Sequence, residues 1–334
     1  MKIRRILYLS YYIHKTESDI FSKFLKHASK ESGKSKTSLF FDSLKAVFVY
    51  NISLLEYFQF KFYMNDKKKR GDWAGTGYMY EYQKNMNPKE SRNILEDKIL
   101  FNKRFNEFIK RDFTYLNEME NDPYRISSFL NNKSGMIVLK SSRGQAGKEI
   151  EIKPCDSFTP ESLMNYMYEH KYDMAEEYII QHSELKKLSA SGINTIRIIT
   201  QMEGGNILFL GARLRITINS HVDNMAAGNA AAPVDLNTGI VSGPGVFSDI
   251  TKSDILIHPV SGCKIKGFKI PFWKETLNMV ENAAKISDKN RSIGWDVAVT
   301  PSGPLLIEGN HNWCKLLWQL PVKEGLKKEL ECYK

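Results

Sequence analysis

Two alternating apolar runs, 294–299 and 304–310, flank the turn Thr300-Pro301-Ser302-Gly303 and predict a β-hairpin. A second hairpin is predicted where runs 194–203 and 206–217 flank Gly204-Gly205. In that hairpin Arg197, Arg213 and Arg215 alternate with Ile196, Ile198, Leu214 and Ile216, so the period of two places the three arginines on one polar face. Further strands are expected near 135–140, 149–153 and 175–181, with a helix between them that has Thr159 as N-cap and Pro160 at its first position and runs to about 171. Helical spacing dominates the first ninety residues, through Ile20, Phe21, Phe24 and Leu25 and again through Leu54, Leu55, Phe58 and Phe62. Leu95, Ile99, Phe105 and Phe108 predict one helix over 91–110, and another is expected over 272–286 after a Gly/Pro-rich loop at 228–245. The pattern divides the chain into a helical, aromatic-rich lobe (1–95), a small α+β lobe (96–185) and a β-rich lobe (186–334), without internal repeats.

Chemistry concentrates on three of these elements. The C-terminal hairpin brings Asp296, near the start of one strand, close to Glu308 and Asn310 at the end of the other, and an i, i+2 pair shares one face. Such a set is either a hard-oxygen cage of the kind Mg²⁺ favours or a solvated face. Lys140 ends a buried strand and precedes a loop containing Gly144 and Gly147, whose small neighbours let backbone N–H groups approach an anion. The loop joins strand to strand and has no GxxxxGK[ST] match, so it is not a P-loop; an ordinary turn is the other reading. The apolar stretch Glu177, Tyr178, Ile179 and Ile180 follows, with Glu184 a turn beyond.

As a set, these pieces resemble the ATP-grasp superfamily, and its sugar-transfer-associated branch in particular. The residues that carry the resemblance are Lys140 with the Gly144/Gly147 loop, 177–182, Asn194-Thr195-Ile196-Arg197, 212–215, Val222-Asp223-Asn224, His258-Pro259, Gly294-Trp295-Asp296 and Glu308-Gly309-Asn310, in the family's order over roughly residues 95–312. The resemblance implies an α+β ATP-grasp fold, two lobes clasping ATP, here with an added helical N-terminal lobe. It implies that the 177–180 backbone holds adenine, that Glu184 accepts from the ribose, and that Lys98 and Lys140 meet the phosphates under the glycine lid. Asp296, Glu308 and Asn310 would hold Mg²⁺, Arg197 and Arg215 would act at the transferring group, and Arg213, Asp223, Asn224 and His258 would lie near substrate. Lys98 also reads as a surface lysine, Asp223-Asn224 as an Asx turn and His258-Pro259 as a plain turn, while His182 is expected to be structural. Two positions depart from the family. Asn229 stands where a second glycine is expected after Gly228, and Trp295 precedes Asp296 where other branches often carry arginine.

Composition narrows the partners. With 42% hydrophobic and 26% charged residues the chain is an ordinary globular one. A net charge of +10 calls for an anionic partner, with the basic run 67–70 either contacting it or forming a solvated loop. No helix-turn-helix, zinc-finger or RNP signature favours nucleic acid. Cys155, Cys263, Cys314 and Cys332 lack metal spacing and read as reduced thiols. The basic-then-apolar opening is too short for a signal segment, so a cytoplasmic protein is expected. From the resemblance, the expected activity is an ADP-forming carboxylate–amine ligase joining an amino acid or amine to a sugar acid in polysaccharide synthesis, with peripheral contact to an anionic membrane or lipid-linked glycan. A peptide ligase or phosphotransferase with the same nucleotide site, and a non-catalytic nucleotide- or glycan-binding adaptor, are the alternatives.

Overall fold

Residues 17–142 and 150–333 are described by the structure, a computed structural model. Two antiparallel sheets organise the chain. The smaller contains β1 (Phe113–Tyr115), β2 (Met136–Lys140), β3 (Ile150–Pro154) and β4 (Met174–Glu177) in the order β1-β4-β2-β3. The larger contains β5 (Ile196–Glu203), β6 (Asn206–Ile216), β7 (Ala230–Val234), β8 (Ser292–Thr300) and β9 (Gly303–Asn310) in the order β7-β6-β5-β8-β9. The Gly204-Gly205 turn forms as expected, with φ of 57° and 83°, the left-handed values that a two-residue hairpin turn needs.

One face of the larger sheet carries Ile196, Ile198, Leu214, Trp295, Val297 and Leu306 into a core shared with the helix Trp273–Ile286. Trp295 is fully buried there, donates to Thr200 Oγ1 at 2.9 Å and meets Phe105 edge-on at 5.4 Å, a geometry worth about 0.5–1.5 kcal/mol beyond burial. The other face is covered by the helical lobe and the chain's last turns. Phe58, Phe60 and Trp73 pack with Ala231 and Leu317, while Met79 and Tyr82 pack with Ile199, Trp313 and Trp318. The arginine face expected to be polar is therefore buried.

The single helix expected over 91–110 is instead three short ones, Asn93–Glu96, Lys98–Arg104 and Asn106–Ile109. Asp97 is extended (φ −100°, ψ 116°), and its side chain accepts from the backbone N–H of Ile99 (2.9 Å) and Leu100 (3.1 Å), starting a new helix at Lys98. The break turns Phe101, Phe105 and Ile109 into the core of the larger sheet. The smaller lobe has its own core of Met119, Phe129, Ile137, Leu139, Leu163 and Ala175. Its helix Pro160–Glu169 carries the expected Thr159 cap. The strand expected over 175–181 ends at Glu177. β7 replaces part of the expected loop, with Pro233 tolerated in an outer strand. Helix Leu54–Gln59 ends before Phe62, which packs from the following turn, where Lys61 adopts φ 50°.

Candidate functional site

Asp296 lies in the middle of β8 rather than near its start, directly across from Arg197 on β5 and Glu308 on β9. Its carboxylate takes a two-pronged contact from Arg197, Nε to Oδ1 at 2.5 Å and Nη2 to Oδ2 at 2.8 Å. Arg215 Nη1 reaches Oδ2 at 2.8 Å, and Arg215 Nη2 pairs with Asp223 Oδ1 at 2.5 Å. Burial alone would raise the Asp296 carboxyl, but the two guanidinium charges outweigh it and hold the group well below the usual carboxylate range. Arg215 is raised because Asp223 and Asp296 together overcome its desolvation.

Glu308 reaches this cluster through a β-bulge. Val297 pairs with Leu306 while Asp296 pairs with Glu308, so Ile307 is the extra residue of β9. In an unbroken strand Glu308 would share the face of Leu306, which is core; the bulge restores it to the Asp296 side. Gly309 then points at Leu95, Phe101 and Trp295, while Asn310 Nδ2 donates to Glu308 Oε1 at 3.0 Å. Burial, then the neighbouring Asp296 charge, push the Glu308 carboxyl above its ordinary value. Gly294 is required one register away: a Cβ there would meet Trp313 Cβ at 2.6 Å and Arg197 Cδ at 3.1 Å.

Lys140 is organised by a residue that the sequence pattern did not single out. Glu176, not Glu177, is the buried acid beside it. Glu176 accepts from Lys140 Nζ at 2.6 Å, Arg111 Nη2 at 2.9 Å and Asn102 Nδ2 at 3.2 Å. Arg111 Nη1 also donates to Leu306 O at 2.8 Å, tying β4 to β9 two residues before Glu308. Burial would raise Glu176, but Arg111 and Lys140 outweigh it and keep it strongly depressed. The Lys140 ammonium is itself lowered, chiefly by burial. Lys98 donates to Ser141 O (3.1 Å) and Ser142 O (3.3 Å), so both expected phosphate lysines converge at the end of β2. On the same sheet face, Ile150 and Ile152 pair with Lys140 and Val138 and remain 44% and 42% exposed, an apolar shelf beside the lysines. Two exposed isoleucines at alternate positions were the available signal for it. Gly144 and Gly147 lie outside the described residues.

The other expected residues fall elsewhere. The Arg213 guanidinium is turned into the fold, donating to Trp318 O (Nε 2.9 Å, Nη2 2.5 Å) and Ala212 O, and burial pulls it down to about 10. His258 is also bonded inside the fold. It is buried, with Nε2 against Thr217 O at 2.9 Å, and Nδ1 accepts from the backbone N–H of Val260 and Ser261, so the ring is used within the fold. Asp223 positions rather than faces open space, binding Arg215 and the N–H and hydroxyl of Thr195. Asn224 makes the Asx turn, accepting from Ala226 N at 3.0 Å. Asn229 stabilises the same loop, accepting from Ile218 N and donating to Val222 O and Asn224 O, a task glycine cannot perform. The Glu177 side chain accepts from the N–H groups of Asp112 and Ser134, and Tyr178 N donates to Met136 O. Ile179 is buried, and Glu184 is exposed beside Lys187 at 2.7 Å. His182 caps helix Ser183–Leu188. Arg70 does not belong to a free basic run, because it forks onto Asp42 and donates to Phe62 O and Asn65 O, leaving residues 67–69 exposed.

Asp296, Glu308 and Asn310 supply two carboxyls and an amide, hard donors suited to a small divalent cation. Among the described residues no group of three or more His, Cys, Asp or Glu side chains could hold a metal. All four cysteines are free thiols, and among the described residues no helix is long and apolar enough to cross a membrane.

No curated protein sequence matches the chain. Among solved structures it is similar to the biotin carboxylase–beta-gamma-ATP complex from Campylobacter jejuni, at 11% identity and a TM-score of 0.47, over 77% of this chain and 52% of that one. It is similar to the ATP-grasp ligase PsnB complexed with a precursor peptide and AMPPNP, at 11% identity and 0.44, over 74% and 61%. A third is the L-amino acid ligase from Bacillus licheniformis, at 10% identity and 0.40, over 72% and 51%. The chain thus spans less than two thirds of the length of each. Sugar-transfer associated ATP-grasp is the family that matches residues 78–334, more than three quarters of the sequence, and the chain belongs to it.

Proposed function

We propose that this protein is an ATP-dependent carboxylate–amine ligase that joins an amino acid or small amine to a sugar acid in polysaccharide synthesis. The observation that carries the reading is the Arg111 bridge. It holds the lysine end of the smaller sheet, with its apolar shelf, against the strand that bears Glu308, and so joins a cationic and apolar surface to an oxygen-donor cluster flanked by arginines.

In this reading the Ile150/Ile152 shelf takes the purine, the 177–180 backbone its edge and Glu184 the ribose, while Lys98 and Lys140 meet the phosphates as point charges. Asp296, Glu308 and Asn310 would hold Mg²⁺, which when bound draws charge from the terminal phosphates. A substrate carboxylate attacks the γ-phosphorus and breaks the bond to the β,γ-bridging oxygen, leaving ADP and an acyl phosphate. The amine then displaces phosphate and loses a proton, giving the amide. Arg197 and Arg215, held in place by Asp296 and Asp223, concentrate positive charge beside the cage, where it suits a carboxylate or an acyl phosphate. Their role is to hold the acceptor and stabilise the charge that develops at transfer. The exposed lysines 67–69 would draw in an anionic carrier, nucleotide- or lipid-linked, at a membrane surface from the cytoplasmic side.

The experiment is an ADP- and phosphate-release screen of amino acids and amines against UDP-linked and free uronates with Mg²⁺-ATP. Release dependent on both a uronate and an amine is expected. Stoichiometric AMP rejects the reaction, and efficient dipeptide formation without any effect of uronate makes the protein a peptide ligase instead.

A further inference from the structure

Helix Thr76–Met86 aligns Tyr78, Glu81, Tyr82 and Asn85 on one stripe, because residues three, four and seven apart share a helix face. The inner face of this helix is Gly77, Met79, Tyr82 and Met86; the stripe beside it lines a cavity of about 370 Å³, inside the ~300–1,000 Å³ typical of small-molecule sites. Tyr50, Asn51, Gly71, Trp73 and Lys327 belong to the same lining. Residues 49–73 lie outside the part of the chain matched by the family.

The walls are pre-set. Asn51 ends helix Lys36–Tyr50 in the left-handed region (φ 57°), and its amide lies across Gly77, where a Cβ would come within 2.1 Å of Nδ2. Trp73 stacks on Phe60 at 4.3 Å, and the Tyr82 hydroxyl is bonded to Gln201 and to Ser292 Oγ (3.2 Å). Lys327 Nζ lies over the Tyr78 ring at 5.3 Å. By contrast, Glu81 and Asn85 are exposed, and nothing lies within 4 Å of where a Gly71 Cβ would point, at a backbone angle that does not call for glycine.

Aromatic walls favour a ligand with apolar C–H faces. The Glu81 carboxylate and the Asn51 and Asn85 amides match hydroxyl groups around its edge. Lys327 is offset by Glu81 across the lining and by Glu331 at 3.7 Å, so the cavity has no strong pull on phosphate. A pyranose ring combines C–H faces with an equator of hydroxyls. We propose that this cavity is a binding site for a neutral hexose ring, separate from the cleft between the two sheets. The proposal concerns binding without nucleotide and stands independently of the ligase reaction.

Saturation-transfer NMR on the full chain, without nucleotide, tests it with methyl β-glucoside, methyl β-galactoside, N-acetylglucosamine and glucuronate as probes. Transfer to the ring C–H groups of one or more of the three neutral sugars is expected, with Gly71→Leu abolishing it and Glu81→Ala weakening affinity roughly tenfold through one lost charge-assisted hydrogen bond. Both variants should melt with the wild type; if Gly71→Leu does not fold, Asn85→Ala at an exposed position takes its place with the same expected weakening. AMPPNP should leave the signal unchanged. Absence of transfer to all three neutral sugars overturns the proposal, as does transfer unchanged by the substitutions, or displacement by AMPPNP, which would put the sugar in the cleft.

Discussion

Replacing Glu176 by Gln keeps the size of the side chain and removes the charge that two buried cations share. Glu176 accepts from Lys140 (2.6 Å), Arg111 (2.9 and 3.3 Å) and Asn102 (3.2 Å), with the Lys140 and Arg111 side chains only 10% and 3% exposed. Removing one partner of a buried ion pair strands the other and costs about 3–5 kcal/mol, a large part of the ~5–15 kcal/mol that a domain commands. Urea unfolding should show that loss, and calorimetry should show weaker AMPPNP binding because Lys140 is no longer aimed. Adding Lys140→Met should recover part of the stability but none of the nucleotide affinity, and the double-mutant cycle isolates the pair. The sign of the pH dependence follows from the depressed carboxyl. Its contribution is complete above the unfolded value of about 4.3 and is lost as pH falls towards the folded value. The gap between wild type and variant should therefore be full at neutral pH and close in acid. A gap below about 1 kcal/mol at neutral pH, or one that does not shrink in acid, would refute the reasoning.

Glu308→Ala should remove nearly all ADP release while leaving the urea midpoint close to wild type, since burial and the neighbouring Asp296 work against the Glu308 charge and no stabilising ion pair is lost; normal turnover at saturating Mg²⁺ would reject its place in the cage. Arg215→Lys should lower kcat/KM about tenfold to a hundredfold, because a point charge cannot replace the fork onto Asp296 and Asp223; steady-state kinetics unchanged from wild type would place Arg215 outside the reaction. Neutralising Lys67, Lys68 and Lys69 should raise KM for an anionic acceptor with little change in kcat, and the effect should fade with salt. Arg70→Gln should instead cost stability, about 1–3 kcal/mol, for the bonds it makes to Asp42, Phe62 O and Asn65 O; equal behaviour of the two variants would contradict that division.

Several elements were legible because their signals are local. The Gly204-Gly205 turn, the Thr159-Pro160 helix start and the two hairpins depend on neighbouring residues whose conformational preferences act whatever packs above them. Helix 91–110 misled because its apolar spacing is continuous, while the competing signal, an Asp97 cap, outweighs periodicity only when the break lets Phe101 and Phe105 reach the larger sheet. β7, with sequence Ala-Ala-Ala-Pro-Val, has little strand propensity and forms because β6 offers it a partner. Glu176 and Glu177 are adjacent acids, and the alternation of a strand guarantees that only one faces the lysine, but which one depends on pairing with β2.

The sequence by itself determined which strands could pair into hairpins, which residues carry oxygen donors and cations, and the order in which they occur, because turn chemistry and side-chain alternation are short-range. It determined the family too, through that order. Tertiary structure decided what those residues do. A strict period of two from Leu306 buries Glu308 in the core, and only the extra residue Ile307, accommodated against β8, turns it to Asp296. Likewise three arginines share a face by alternation, but segments distant in sequence decide their partners: Trp318 O from the chain that covers the face claims Arg213, whereas Asp296 on the neighbouring strand and Asp223 in a loop claim Arg197 and Arg215. Those partners lie 8 to 105 positions away along the chain. A local pattern fixes the direction of a side chain relative to its own strand; the charge it meets is set by chain segments that only folding brings into contact.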